Sequence, residues 1–579
     1  MFTRIWNSRI FIVSALVCAI AMAVTGEAQP QSPRGPATGP TWGSIAPFPK
    51  ASNSVFATAD GCALCHSVGE KATALRTSIG SDGSPHGLWR ATMMANSFRD
   101  PYWRAQVSRE IAAFPERAEE IQTLCLTCHG PMASHTARLF HSPSPSIATA
   151  AADPLAVDGV SCTVCHQAQA TTLGTPASFT GKLDIRPGRQ IFGPYPSPMF
   201  GPMVRQSAFK AIHGPHIQES MLCGSCHTVV TSDGNGSADF HEQTPFLEWR
   251  NSEFSNEAGV TDKSRTCQQC HMTDIGTTRI ARNVDGRDFG SLPRPNVRAH
   301  AFVGGNAFML DMLRTNAAEL GVTAPAEALE CMAALTRMQL SDQTANLRIR
   351  NFRREGDALL FDVRVENKVG HKFPSAYPSR RAWLHVHLVD NQSNRVLYCS
   401  GAADEKGALR LVADERTLPH FDLIDDTTKV QVYEVRNLDS EGKPTTLLTA
   451  MAERQKDNRL LPRGWKADGP HADETGPRGT EGDANFLAGE DTVTYKVPFS
   501  GGSTARLTAI AWLNYQTIPP AWVAPLRTLD TDEARRFVRM YDSMEHVPET
   551  IAFASASASA FLSGVSAATS RPTTQPGEK

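Results

Sequence analysis

Five times in this chain two cysteines stand three positions apart with a histidine directly after the second: Cys62/Cys65/His66, Cys125/Cys128/His129, Cys162/Cys165/His166, Cys223/Cys226/His227 and Cys267/Cys270/His271. Two intervening residues let both thiols reach one edge of a porphyrin and add across its vinyl groups. The adjacent imidazole can then turn onto the iron, so this is the covalent attachment signature of c-type haem. At this cysteine and histidine content, roughly 0.01 such motifs are expected by chance. Zinc would leave the histidine after every second cysteine unexplained, and disulfides between cysteines this close are strained. The expectation is five covalent haems c held through ten thioethers, with His66, His129, His166, His227 and His271 as proximal iron ligands.

Each motif supplies one axial ligand, so five further ligands must come from elsewhere. Outside the motifs and before residue 301 stand His86, His135, His141, His213, His216, His241 and His300. An unattached histidine is ordinarily a surface or hydrogen-bonded residue, but five irons in want of partners shift that balance. His216 precedes Cys223 at a spacing that lets a short helix carry a distal ligand to a neighbouring haem. His300 closes the motif-bearing region, and His135 follows the second motif closely; His213, His141 and His241 compete with them. Met93 and Met94 are successive and face different ways. Met94 is the thioether candidate, weighed against plain apolar packing, with His86 competing for the same role. His371 sits in Asn367-Lys-Val-Gly-His-Lys-Phe-Pro374, a tight loop framed by Gly370 and Pro374. That loop could reach back and cap an iron; the competing reading is a turn histidine bonded to backbone.

The elements that must position these groups fall into two grammars. From 56 to 305 the chain is broken by Gly and Pro clusters, as suits short helices and loops wrapped on porphyrins that supply apolar surface. The clearest helix there spans 88–112, with a break at Asp100-Pro101. Residues 306–344 read as a helical connector, punctuated by Gly321 and Pro325. From 345 to 545 the period is two: 360–366, 382–389, 430–435, 492–497 and 507–515 alternate as half-buried strands do, and 530–543 looks helical. Strands without intervening helices favour an antiparallel β-sandwich. The fold class is therefore α + β, an N-terminal multihaem domain followed by a sandwich-like domain.

The ends carry other information. Arg4 and Arg9 precede an apolar run, 10–24, and small residues follow, which reads as a signal peptide over 1–28 with cleavage near Ala23 or after Ala28. Val17 stands before Cys18 where a lipidation signal has a small residue. Residues 29–55 form a Pro/Gly-rich linker, and 546–579 an Ala/Ser-rich tail that begins as a fraying helix and ends disordered. No other segment is long and apolar enough to span a bilayer. A formal net charge of −2 gives no electrostatic case for nucleic acid. Thirteen cysteines leave three outside the motifs. Of these, Cys331 and Cys399 are read as buried thiols, with a bridge between them as the alternative. Covalent haem attachment in bacteria is completed outside the cytoplasm, in keeping with an exported, periplasmic or extracellular protein.

Four segments of the first half stand out: Leu88-Trp-Arg-Ala-Thr-Met-Met-Ala-Asn, Arg99-Asp-Pro-Tyr-Trp-Arg-Ala, Asp158-Gly-Val-Ser-Cys-Thr-Val-Cys-His and Gln243-Thr-Pro-Phe-Leu-Glu-Trp. Further on come His300-Ala-Phe-Val-Gly-Gly-Asn, Gly370-His-Lys-Phe-Pro and Lys456-Asp-Asn-Arg-Leu-Leu-Pro. Together these resemble a group of secreted bacterial multihaem cytochromes, part of the broad superfamily containing the tetrahaem cytochromes of ammonia oxidisers and hydroxylamine oxidoreductase. The resemblance, over roughly 55–545, implies electron transfer through packed haem pairs, with other cytochromes or quinone-linked complexes as redox partners. Fold does not fix the reaction. The superfamily's pentahaem nitrite reductases usually replace one motif histidine by lysine; all five motifs here end in histidine, so that activity is not supported. Two other functions stand beside an electron carrier: an oxidoreductase with one open haem for a small nitrogen or sulfur compound, and a subunit of an extracellular cytochrome wire.

Overall fold

The computed structural model describes residues 51–232, 239–500 and 506–558. The expected signal peptide and most of the 29–55 linker lie outside them, as does the tail beyond 558. Each cysteine–histidine motif sits on a short helix or at its end: Ala59–His66, Ala118–His129, Cys162–Cys165, Ser220–Gly224 and Cys267–His271. One helical turn puts both cysteines of a motif on the same face.

The stretch 88–112 is helical only at its ends, in Pro85–Trp89 and Pro101–Ala113. Between them side chains take over the backbone's bonds. Thr92 Oγ1 donates to the Trp89 carbonyl at 2.7 Å, and Asn96 Nδ2 donates to the Arg90 and Thr92 carbonyls at 3.2 and 2.9 Å. Such local bonds compete with helix. Asp100 then restarts the helix by accepting from the Tyr102 and Trp103 amides, with Pro101 at the first helical position.

Two small ribbons follow: β1 (Gln190–Gly193) lies parallel to β2 (Lys210–His213), and β3 (Val229–Ser232) antiparallel to β4 (Asp239–Gln243). Helices Ala307–Thr315, Ala317–Leu320 and Ala326–Gln343 form the connector, the second capped by Gly321 at φ +66°.

The strands of the second half are β5 (Ala345–Glu355), β6 (Ala358–Asn367), β7 (Arg381–Asp390), β8 (Arg395–Ser400), β9 (Leu423–Ile424), β10 (Val432–Tyr433), β11 (Val435–Leu438), β12 (Pro444–Thr445), β13 (Glu453–Asp457), β14 (Glu490–Pro498), β15 (Leu507–Gln516) and β16 (Glu549–Ser557). One sheet runs β5-β6-β14-β9; the other runs β10-β7-β15-β16, with β8 also on β7. Alternate residues of both sheets meet in one core, among them Leu347, Phe361, Val363, Leu384, Val386, Tyr495, Ala509 and Leu513. Every pairing in the two sheets is antiparallel except β9 on β14. A smaller sheet, β12-β11-β13, lies beside them.

Three expectations need correction. The tail expected from 546 begins instead as β16, an edge strand paired along β15, because cross-strand packing outweighs alanine's helical preference. The segment 430–435 is two short strands in different sheets. Cys399 is a free, half-buried thiol, so no bridge joins it to Cys331, which is disulfide-bonded rather than a free thiol and is buried in the connector's apolar cluster. The halves share a core: Tyr102 and Phe240 pack with Met309, Met451, Trp522 and Phe537. Among the described residues no helix is long and apolar enough to cross a membrane.

Candidate functional site

Four motif histidines are held in one orientation by the same device. Nδ1–H donates to a backbone carbonyl: His66 to Ile280 at 2.9 Å, His129 to Ser97 at 3.0 Å, His166 to Phe192 at 2.7 Å and His271 to Val303 at 2.5 Å. With the proton fixed on Nδ1, Nε2 is bare and its lone pair points away from the anchoring chain, the tautomer a metal ligand needs. Burial, the largest cause in each, pushes all four below the usual histidine range, His129 to about 4. They are neutral at physiological pH. Trp103 lies flat on His129, ring centres 4.4 Å apart and planes 2° from parallel, which fixes that ring further.

Two motif histidines face a second imidazole. His166 and His300 have ring centres 6.3 Å apart and planes within 18°; His271 and His371 are 6.2 Å apart within 12°. With metal–imidazole bonds of about 2 Å, two rings on opposite sides of one ion have centres about 6 Å apart. His371 donates from Nδ1 to the Lys372 carbonyl at 2.9 Å, so its Nε2 is bare as well. His86, which accompanied Met94 as a rival, is buried and bonds Ser67 Oγ through Nδ1 at 3.2 Å. Burial, then Arg90 and His66, hold it down to about 3, which places it beside the first motif's histidine.

The other candidates fall differently. His216 donates from Nε2 to the Ala168 carbonyl at 2.9 Å and meets Phe192 edge-on, so the nitrogen the motif histidines keep bare is occupied. His135, 1% exposed, accepts at Nδ1 from Arg138 Nη2 at 2.6 Å, and its Nε2 is buried with no hydrogen-bond partner. Met94 is half-buried, and the fold uses its backbone: its carbonyl accepts from Val160 N–H at 3.0 Å. Gly159, at φ +67°, permits this approach, since a Cβ there would lie 2.7 Å from the Met94 oxygen. The preceding Asp158 accepts from Ala59 N–H at 2.8 Å, so the segment leading into the third motif caps the helix of the first.

The motifs interlock through their thiols. Hydrogen bonding to Cys62 is the largest cause raising the Cys162 thiol; Cys267 does the same to Cys223, and Cys128 to Cys226. Cys165 senses Cys226 electrostatically. The first motif therefore abuts the third, and the third approaches the fourth, against which the second and fifth both lie. Burial raises Cys125 and Cys165 to about 12, although both retain accessible surface. Desolvation is likewise the largest cause that holds His227 at about 4. Paired thiols, bare Nε2 atoms and facing imidazoles together fit haem c.

A buried ionic knot joins the halves behind His371. Lys372 Nζ donates to Asp457 Oδ2 at 2.8 Å, and Lys372 N–H donates to Glu248 Oε2 at 2.9 Å. Arg459 pairs with Asp457 at 2.8 Å and Glu248 at 3.3 Å. Glu248 lies on helix Pro245–Arg250 of the first half, so three segments that carry the family resemblance converge on the base of the histidine loop. Sequence reasoning named the segments but not this pairing, for which the only signal was charge in otherwise apolar surroundings.

No known family profile and no curated protein matches the chain. Among solved structures, the crystal structure of a penta-heme cytochrome c552 from Thermochromatium tepidum is similar over 86% of this chain and 98% of that chain, at 16% identity and a TM-score of 0.48. A likeness at that level says nothing of what this chain binds or does.

Proposed function

We propose that this chain is a pentahaem c-type cytochrome that carries electrons between redox partner proteins outside the cytoplasm. The observation that carries this reading is the pair of facing imidazoles, His166/His300 and His271/His371, at the separation a six-coordinate metal requires. Bound haem c supplies a one-electron iron couple. The chain's own residues attach it through the ten motif cysteines, orient the proximal imidazoles through backbone carbonyls, and keep neighbouring sites in contact through Cys62/Cys162, Cys223/Cys267 and Cys128/Cys226. The fourth motif is the hub of this arrangement. His300 would help His166 hold the third haem, His371 would help His271 hold the fifth, and His86 would help His66 hold the first. An optical redox titration tests the reading: the purified protein should take up five electrons per chain reversibly, and fewer, or an irreversible change, would count against it.

One observation favours a second reading, an oxidoreductase acting on a small nitrogen or sulfur compound. Among the described residues no imidazole stacks opposite His129 or His227 as His300 and His371 do. Near the second motif, Glu242 has both carboxyl oxygens buried without hydrogen-bond partners and lies within electrostatic reach of Cys125 and Tyr377. Burial raises Glu242 to about 8, so it stands there as a neutral acid able to give a proton. Carbon monoxide separates the two: a pure carrier leaves the reduced spectrum unchanged, whereas an open site shifts one haem's share of it.

A further inference from the structure

The sandwich half carries a second constellation of ligating side chains, far in kind from the motifs. His385 and His387 are two apart on β7 and so point the same way, out of the sandwich, while Leu384, Val386 and Leu388 point in. Cys399 on β8 is paired in register with His387, and Trp512 on β15 with His385. The two Nε2 atoms are 2.9 Å apart, and Cys399 Sγ is 3.8 Å from His385 Nε2. All three donor atoms lie within 4.8 Å of one another.

We propose that His385, His387 and Cys399 form a metal site for a borderline-to-soft cation, Zn2+ or Cu+. Around a tetrahedral ion with bonds of about 2.0 Å to nitrogen and 2.3 Å to sulfur, the two nitrogens stand about 3.3 Å apart and nitrogen and sulfur about 3.5 Å. The observed separations bracket those values, so small ring rotations suffice. Two imidazoles and a thiolate suit Zn2+ or Cu+ and not Mg2+ or Ca2+, which take oxygen ligands. Metal binding to the Cys399 thiol releases its proton. Trp512 stacks on His385 at 4.9 Å and meets His387 edge-on at 5.1 Å, with Phe553 against its other side. This aromatic wall limits both rings to small rotations. Three protein donors on a half-buried face leave a fourth position for water or a partner's ligand.

The test uses the full haem-loaded protein, stripped with a chelator and reloaded with Zn2+ in one arm and Cu+ under reducing conditions in the other. One added ion per chain is expected in at least one arm, counted against iron. Absorption fine structure at the added metal's own edge should show one sulfur at about 2.3 Å and nitrogens at about 2.0 Å. Cys399→Ser should remove the sulfur shell, and His387→Ala should weaken binding at least tenfold, with the haem spectrum unchanged in both. No added ion in either arm, or a bound ion without a sulfur neighbour in the unmodified chain, overturns the proposal whatever the variants do.

Discussion

The imidazoles of His271 and His371 lie in planes 12° apart with ring centres separated by 6.2 Å, one closing the last cysteine motif and the other on a loop of the sandwich half. His371 is half-buried and tied at its base by the bond of Lys372 N–H to Glu248. On the proposed reading, the second half completes a site that the first half begins.

His371→Ala should therefore convert one low-spin iron to a high-spin, carbon monoxide-accessible one, read by electron paramagnetic resonance and the reduced spectrum. Unchanged spin state would make His371 a turn residue only.

A contrast between two histidines checks the orientation argument. His300→Ala should open one iron in the same way, because its ring faces His166. His216→Ala should leave all spin states alone and cost about 1 kcal/mol for its lost bond to the Ala168 carbonyl. Opposite outcomes in the two variants would reverse the assignment.

The knot behind His371 makes a stability prediction. Lys372 and Asp457 side chains are both 0% exposed; removing the carboxylate strands the Lys372 ammonium, whereas removing Lys372 leaves Asp457 paired with Arg459. Asp457→Asn should destabilise the chain by about 3–5 kcal/mol in denaturant unfolding, and the double variant with Lys372→Met should lose less than the sum. Asp457 is held well below the usual carboxylate range: burial, its largest influence, opposes this and is overcome by Arg459 and Lys372. A lowered folded value gives stability that is present above the unfolded pKa and lost as pH falls through the folded one.

Glu242 has the opposite sign. Raised by burial to about 8, it binds a proton in the folded chain that the unfolded chain releases near pH 4.5. Its contribution is full below that value and is lost as pH rises to about 8. Glu242→Gln should flatten the fall in thermal midpoint across this window; an unchanged pH profile would show the group is ionised when folded.

The five Cys-x-x-Cys-His motifs were legible because their spacing is local, and the main sandwich strands because period two is local too. What escaped the sequence was long-range. Nothing in the spacing of Cys62 and Cys162, or of Cys128 and Cys226, announces that they touch, since loops set that approach. β5 was missed because a bulge near Asn351, at φ +56°, breaks its alternation. β16 was hidden by alanines that favour helix until a strand edge offers itself. His216 looked like a ligand by spacing alone, but tautomer and partner are properties of the folded chain.

The central claim is covalent attachment at all five motifs, and intact mass measures it most directly. The denatured, processed protein should weigh its polypeptide plus five haem units, and the double variant Cys162→Ala/Cys165→Ala its polypeptide plus four. A mass equal to the bare polypeptide, or haem that leaves on acid extraction, would contradict the account.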